Sequence, residues 1–116
     1  MNKRVVITGL GVVAPNGVGL ETFTNAIRNG ISGIKHDAEL ERLQFSCQIA
    51  GKPEVSTELS LNYFTELELR NFNSSGILYG VIAGIDAWKD AGLPIEINNE
   101  PDWESGTIFG TGTSGI

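Results

Sequence analysis

A helix-forming stretch between positions 74 and 91 carries small side chains at a regular spacing, and this spacing limits what the chain can fold into. Glycine recurs every four residues at Gly76, Gly80 and Gly84, and alanines stand beside this row. Each interior glycine costs a helix about 0.5–1 kcal/mol relative to alanine. We therefore expect a deeply buried helix whose small residues allow the backbone of a neighbouring element to approach closely.

The sequence also marks where helices begin and end. Asn73 is a suitable N-cap, Gly92 suits the left-handed position after the helix, and Pro94 prevents its continuation. A shorter helix is predicted over residues 20–29, where apolar residues share one helical face and Gly30 occupies the corresponding terminal position.

Two short apolar runs predict buried strands. Residues 4–9 form a β-branched run that ends in glycine and does not alternate with polar residues, which favours a central strand of a parallel sheet. Residues 107–109 form a second run and lead into a glycine-rich stretch at 110–115. Residues 32–70 show weaker patterns and predict an irregular excursion with one helical turn near 40–43. The prediction is an α/β fold with a mostly parallel sheet and a buried glycine-rich helix.

Composition narrows the classes of function. The 116 residues are 41% hydrophobic and carry a formal charge of −6, which argues against nucleic acid as a partner. The apolar runs are too short for a signal peptide or a membrane span, so we expect a soluble cytoplasmic protein. A single cysteine excludes an internal disulfide and a cysteine-based zinc site.

Two glycine motifs match the dinucleotide-binding pattern G-x-G-x-x-G/A, at residues 9–14 and 110–115. That pattern binds pyrophosphate only where a helix begins directly after the glycine turn. The first motif fails this test, because Ala14 precedes a proline and Asn16-Gly17 indicates a turn. The second motif leaves a nucleotide-binding fragment open as an alternative, since its helix would lie beyond residue 116.

No catalytic group can be assembled from the residues themselves. Cys47 lies in an apolar stretch without a nearby cation to lower its pKa, which favours a buried structural thiol. His36 is the only histidine and is expected in an exposed loop. Neither a metal site nor a nucleophilic triad is predicted.

Several motifs resemble one family, in order along nearly the whole chain. The opening RVVITGLGVVAPNGVG at residues 4–19 resembles the N-terminal signature of the elongating β-ketoacyl-[acyl-carrier-protein] synthases. The resemblance continues through NGISGI at 29–34, the helix from Tyr79 to Leu93, and IFGTGTSG at 108–115. Residues 1–116 are thus expected to be the N-terminal portion of the N-terminal domain of such a synthase, and an incomplete one.

The resemblance implies a thiolase-like α/β fold and a decarboxylative Claisen condensation that needs no cofactor. In this family a cysteine carries the acyl chain, and malonyl-carrier thioester loses carbon dioxide to supply the attacking carbanion. Two histidines stabilise the developing negative charge. None of these three residues has a counterpart in this sequence, and Cys47 matches no catalytic position. We expect the isolated chain to be inactive.

The resemblance also implies candidate sites. Gly112 and Thr113 match the substrate-binding glycine loop, with Thr113 at an acyl-pocket position where many relatives carry a larger apolar residue. Relatives bind the carrier through lysines and arginines before the long helix, but this chain has ELELRN at 66–71, which leaves Arg70 as the candidate docking residue. The implied partners are an acyl carrier protein and a second synthase subunit, in a homodimer or heterodimer.

Two hypotheses for the parent protein follow from the resemblance. It is either an active condensing synthase of fatty-acid or polyketide biosynthesis, or a non-catalytic chain-length-factor-like subunit that pairs with one. A cysteine in the sequence past residue 116 would distinguish them.

Overall fold

The computed structural model describes residues 3–94, 102–110 and 112, which contain short strands and five helices. In chain order the elements are β1 (Val13–Ala14), β2 (Gly17–Val18), α1 (Leu20–Arg28), β3 (Ile34–His36), α2 (Ala38–Arg42), β4 (Ile49–Gly51), α3 (Thr57–Ser60), α4 (Glu66–Leu69) and α5 (Ser75–Asp90). The mixture of helices and strands agrees with the predicted α/β class. None of the described helices is long and apolar enough to cross a membrane.

Both predicted glycine-terminated helices are confirmed. Gly30 follows α1 with φ 65° and Gly92 follows α5 with φ 67°, in the left-handed region that glycine adopts without strain. After α5 the Leu93 amide donates to the Trp88 carbonyl oxygen and Gly92 donates to Lys89, the paired bonds of a Schellman motif. The N-cap prediction is wrong by one residue, since Ser74 and not Asn73 precedes the first turn.

The small-residue side of α5 lies against the chain segment of residues 9–11. A Cβ atom on Gly11 would overlap the Ala83 carbonyl oxygen and lie 2.7 Å from the Ala87 amide nitrogen. The Leu10 amide donates a hydrogen bond of 2.9 Å to Asp90 Oδ2. The expected close backbone approach is confirmed along the alanine row, where glycines on the partner segment make it possible.

Burial of α5 is shallower than predicted. Ile82 is completely buried, but most other positions are half-buried and both ends are exposed. Gly80 and Gly84 face the aromatic ring of Phe109 and not the backbone of another element. Cβ atoms on these glycines would lie 3.5 and 3.6 Å from that ring. A side chain that lies over the glycines leaves gaps beside it, so the described residues cover this side of the helix incompletely.

The mostly parallel sheet is not found among residues 3–94, 102–110 and 112. Two antiparallel pairs are present instead, β1 with β2 and β3 with β4, the second in the register Ile34 with Gly51. Residues 4–9 are not in a strand, and Val5 and Ile7 are 94% and 82% exposed. Residues 107–109 are likewise outside any strand, with Ile108 98% exposed. A β-branched run sets a preference for extended backbone, whereas a strand also requires a paired neighbour.

The excursion between α1 and α5 is built from short, locally capped elements. The predicted helical turn near residues 40–43 is confirmed as α2, whose N-cap Asp37 accepts from the Glu39 and Leu40 amides. Thr65 and Glu68 form a reciprocal capping box at the start of α4. Side-chain capping of this kind allows four- and five-residue helices to form without a large apolar face.

We expect Gly11→Ala to destabilise the whole encoded protein by about 1–3 kcal/mol, because the added methyl group must displace the α5 backbone. Gly106→Ala is the matched control, since a Cβ there would have no atom within 4 Å. Urea unfolding of both variants measures the difference. Equal stability of the two would show that residues 9–11 and α5 are not in tight contact.

Candidate functional site

Arg70, the candidate docking residue, directly follows α4 as its C-cap and is exposed. The Glu68 carboxylate is turned back towards the start of the helix, where its Oε2 accepts from the Thr65 amide at 2.8 Å and from Thr65 Oγ1 at 2.9 Å. These bonds hold the pKa of Glu68 below its usual value. Among the described residues no carboxylate lies within ion-pair distance of Arg70, so its positive charge faces solvent.

The segment that carries Arg70 contacts α5 through aromatic and polar side chains. The Tyr63 hydroxyl donates to Asp86 Oδ2 at 3.1 Å, and Lys89 Nζ lies 5.1 Å from the centre of the Tyr63 ring. Burial and the neighbouring Asp86 carboxylate raise the pKa of Tyr63. The Phe64 ring lies 6.3 Å from that of Tyr63 and 5.0 Å from that of Phe72.

The candidate substrate loop is described only in part. Gly110 and Gly112 are exposed, and a Cβ on either would have open space around it. Thr113 and Gly115 lie outside the described residues. The segment before the loop borders an apolar groove of about 480 Å³ against α5, lined by Val81, Gly84, Ile85, Trp88 and residues 106–109. The chain before the substrate loop, at residues 106–109, and Tyr63, in the segment before Arg70, therefore both contact α5.

The other reactive side chains form no catalytic group. Cys47 is exposed and precedes β4 in a segment without regular secondary structure, so the predicted buried thiol is wrong. His36 is exposed as expected but lies on β3 and not in a loop, with Nε2 3.5 Å from Glu41 Oε2. The described residues contain no cluster of histidine, cysteine and carboxylate side chains that could hold a metal ion.

The lysines of the β3–β4 region are paired, unlike Arg70. Lys35 Nζ lies 2.9 Å from Glu54, and Lys52 Nζ lies 2.5 Å from Asp37. The hydrogen bond with Lys52 lowers the pKa of Asp37 and raises that of Lys52. These cations have carboxylate partners within their own sheet region.

Gly9 and Gly11 of the first dinucleotide-like motif pack against the backbone of α5. The chain continues from Gly11 into the β1–β2 hairpin, and the next helix begins only at Leu20. No helix N-terminus is therefore presented to a pyrophosphate group at residues 9–14, as expected from Ala14 and the following turn. The second motif extends to Gly115, outside the described residues.

Comparison with known proteins decides the family. Residues 2–115 match the model of the β-ketoacyl synthase N-terminal domain. The chain belongs to the β-ketoacyl synthase family. The resemblance found in the sequence is thus confirmed, and with it the α/β fold of the thiolase-like class that this domain implies.

Several named proteins are similar to this ketoacyl synthase chain. It is 33% identical over 114 residues to 3-oxoacyl-[acyl-carrier-protein] synthase 2 of Vibrio cholerae and 34% identical over 116 residues to the protein of that name from Vibrio harveyi. It is 29% identical over 115 residues to putative polyketide β-ketoacyl synthase 1 of Streptomyces halstedii. These alignments cover 98–99% of the chain and 26% of each relative, so the chain spans about a quarter of their length.

The sequence of the ketoacyl synthase chain predicts Arg70 as a site residue but not the contacts that hold its segment. Tyr63 and Asp86 are separated by 23 residues, and no local pattern connects them. The available signal was Asp86 itself, a carboxylate inside an otherwise apolar helical stretch. A half-buried charge in that position requires a hydrogen-bond donor from another element.

Proposed function

We propose that the parent protein is a β-ketoacyl-[acyl-carrier-protein] synthase that acts in the cytoplasm in fatty-acid or polyketide-type biosynthesis. The match of residues 2–115 to the synthase N-terminal domain carries this proposal. The acyl-carrier protein is part of the names of the two Vibrio relatives, which supports the choice of carrier.

In the proposed reaction an acyl group moves from its carrier thioester to a cysteine thiolate and releases the carrier thiol. Malonyl-carrier thioester then loses carbon dioxide, and the resulting carbanion attacks the acyl–enzyme carbonyl. The new carbon–carbon bond forms as the cysteine thiolate leaves, which yields a 3-oxoacyl thioester on the carrier. We assign no step of this chemistry to Cys47 or His36, and we propose that residues 1–116 alone are inactive.

We propose Arg70 as a docking residue for the carrier. Its exposure, its position after α4 and the engagement of Glu68 with Thr65 support this role. A guanidinium group without a carboxylate partner can donate paired hydrogen bonds to a carboxylate or phosphate of the partner protein.

We propose Gly112 and Thr113 as substrate-binding residues of the acyl pocket. A threonine has a smaller side chain than the apolar residues at this position in many relatives, which would leave room for a bulkier acyl group. The apolar groove beside residues 106–109 is consistent with a nearby path for an acyl chain.

We further propose that the protein works as a homodimer or as a synthase heterodimer. Large apolar side chains at residues 5–7 and at Ile108, Phe109 and Trp88 are exposed in the described part of the chain. Large apolar side chains exposed in this number are typical of a surface that further protein covers.

The whole encoded protein should form 3-oxoacyl-carrier product and release carbon dioxide when given acyl-carrier and malonyl-carrier thioesters. Mass spectrometry of the carrier measures the product. Residues 1–116 alone are the control and should form none. Turnover only after an active synthase subunit is added would favour the chain-length-factor-like alternative, and no turnover with either would overturn the proposal.

Arg70→Glu in the whole encoded protein should weaken carrier binding about tenfold or more, because an attraction becomes a repulsion at the contact. Titration of fluorescently labelled carrier measures the dissociation constant. Arg28→Glu is the control, since it changes the net charge equally at an exposed position on α1. Equal effects of the two variants would rule Arg70 out as a specific docking residue.

Thr113→Ile should shift the preferred acyl chain length, because a larger apolar side chain removes space from the pocket. Differences of one methylene group in an apolar pocket change specificity about 10- to 200-fold. Competition between acyl-carrier thioesters of different length measures the ratio of kcat/KM values. An unchanged ratio would contradict a role for Thr113 in selectivity.

A further inference from the structure

The docking residue Arg70 lies on a short segment whose position is set by side chains outside it. Helix α4 spans four residues, from Glu66 to Leu69, and presents Leu67 71% exposed to solvent. A helix this short buries little apolar surface and does not hold its own position on the molecule. The orientation of Arg70 must therefore depend on contacts at the borders of the segment.

On the N-terminal border, Tyr63 is held by two side chains of α5. Asp86 Oδ2 accepts a hydrogen bond from the Tyr63 hydroxyl, with 3.1 Å between the two oxygens. Lys89 Nζ, on the next turn of the helix, lies 5.1 Å from the centre of the Tyr63 ring. A cation within about 6 Å of an aromatic face is attracted by the ring quadrupole. Asp86 thus fixes the hydroxyl of Tyr63 and Lys89 fixes its ring, so both the position and the orientation of the side chain are defined.

Aromatic packing carries this anchor across the segment. Phe64 follows Tyr63 directly, and its ring lies 5.0 Å from that of Phe72 at an interplanar angle of 59°. Ring pairs at this distance and tilt are favourable contacts. Arg70 lies between Phe64 and Phe72 in the sequence, so the contact between these two rings joins the two ends of its segment. Tyr63, next to Phe64, connects the joined ends to α5.

We propose that Tyr63, Asp86 and Lys89 form a clasp that positions Arg70 for the acyl carrier protein. This inference rests on the proposed carrier docking at Arg70 and adds three positioning residues to it. The clasp touches neither the substrate nor the reacting atoms. It lowers the conformational freedom that the docking segment would otherwise lose when the carrier binds.

Asp86 has no comparable role within its own helix. It is half-buried in the stretch from Val81 to Ala87, which is otherwise apolar or glycine. A carboxylate there is less favourable for the helix than an apolar residue unless a donor satisfies it. The Tyr63 phenol, which is protonated at neutral pH, is that donor.

The test removes one hydroxyl group from the whole encoded protein and measures carrier binding. Tyr63→Phe keeps the ring, the cation contact and the aromatic packing, and it should raise the carrier dissociation constant by up to about fivefold, the limit set by the loss of one intramolecular hydrogen bond. Asp86→Ala should match this loss, whereas Asp86→Asn keeps an acceptor oxygen and should recover most of the affinity. Tyr79→Phe is the control, since that hydroxyl makes no hydrogen bond to the described α3–α4 segment.

A double-variant cycle distinguishes positioning from general destabilisation. If the clasp positions Arg70, then Arg70→Glu must cost less affinity in the Tyr63→Phe background than in the unmodified protein. Additive losses, or a Tyr63→Phe effect equal to that of Tyr79→Phe, would overturn the clasp. An inert Arg70→Glu variant would instead overturn the docking site itself, so the two failures are distinguishable.

Discussion

The close contact between residues 9–11 and the alanine row of α5 is the interaction on which the described structure depends. Gly11 allows its backbone to reach the carbonyl oxygen of Ala83, and any side chain larger than hydrogen would separate the two elements. Buried apolar side chains are few, with only Ala26 and Ile82 buried among the described residues that form a core. Backbone proximity and the Leu10–Asp90 hydrogen bond therefore replace much of the side-chain packing that usually joins such elements.

Helix α5 organises its surroundings through two carboxylates, Asp86 and Asp90, one turn apart on the helix. Asp90 accepts from the Leu10 amide, and Asp86 accepts from the Tyr63 hydroxyl. The first bond fixes the segment that leads into the β1–β2 hairpin, while the second fixes the segment that leads into α4. One helix thus relates the N-terminal glycine motif to the region of Arg70, although the two are far apart in the sequence.

The helix ends could be predicted because they depend on the residues at those positions. The strands could not, because each strand depends on a partner elsewhere in the chain. Gly30 and Gly92 mark helix ends because a positive φ is a property of the residue itself. Residues 4–9 have the composition of a buried strand, but a strand also needs a partner elsewhere in the chain, which sequence pattern alone does not specify. Arg70 could be predicted as a candidate because it is the one cation in the segment where relatives carry several. Its link to Asp86 could not, since it depends on how α3, α4 and α5 are arranged in space.

The charge distribution of this acidic chain allows the proposed docking of an acidic carrier at Arg70. A net charge of −6 opposes the approach of a carrier at long range, but charges are largely screened beyond about 8 Å at physiological ionic strength. At contact distance the nearest charged side chains determine the interaction with a partner. Near α4 the carboxylate of Glu68 is hydrogen-bonded to Thr65, while Arg70 faces solvent. Capping therefore has an electrostatic consequence besides its effect on α4. It holds a negative charge at the far end of the helix and leaves the positive charge at Arg70 available.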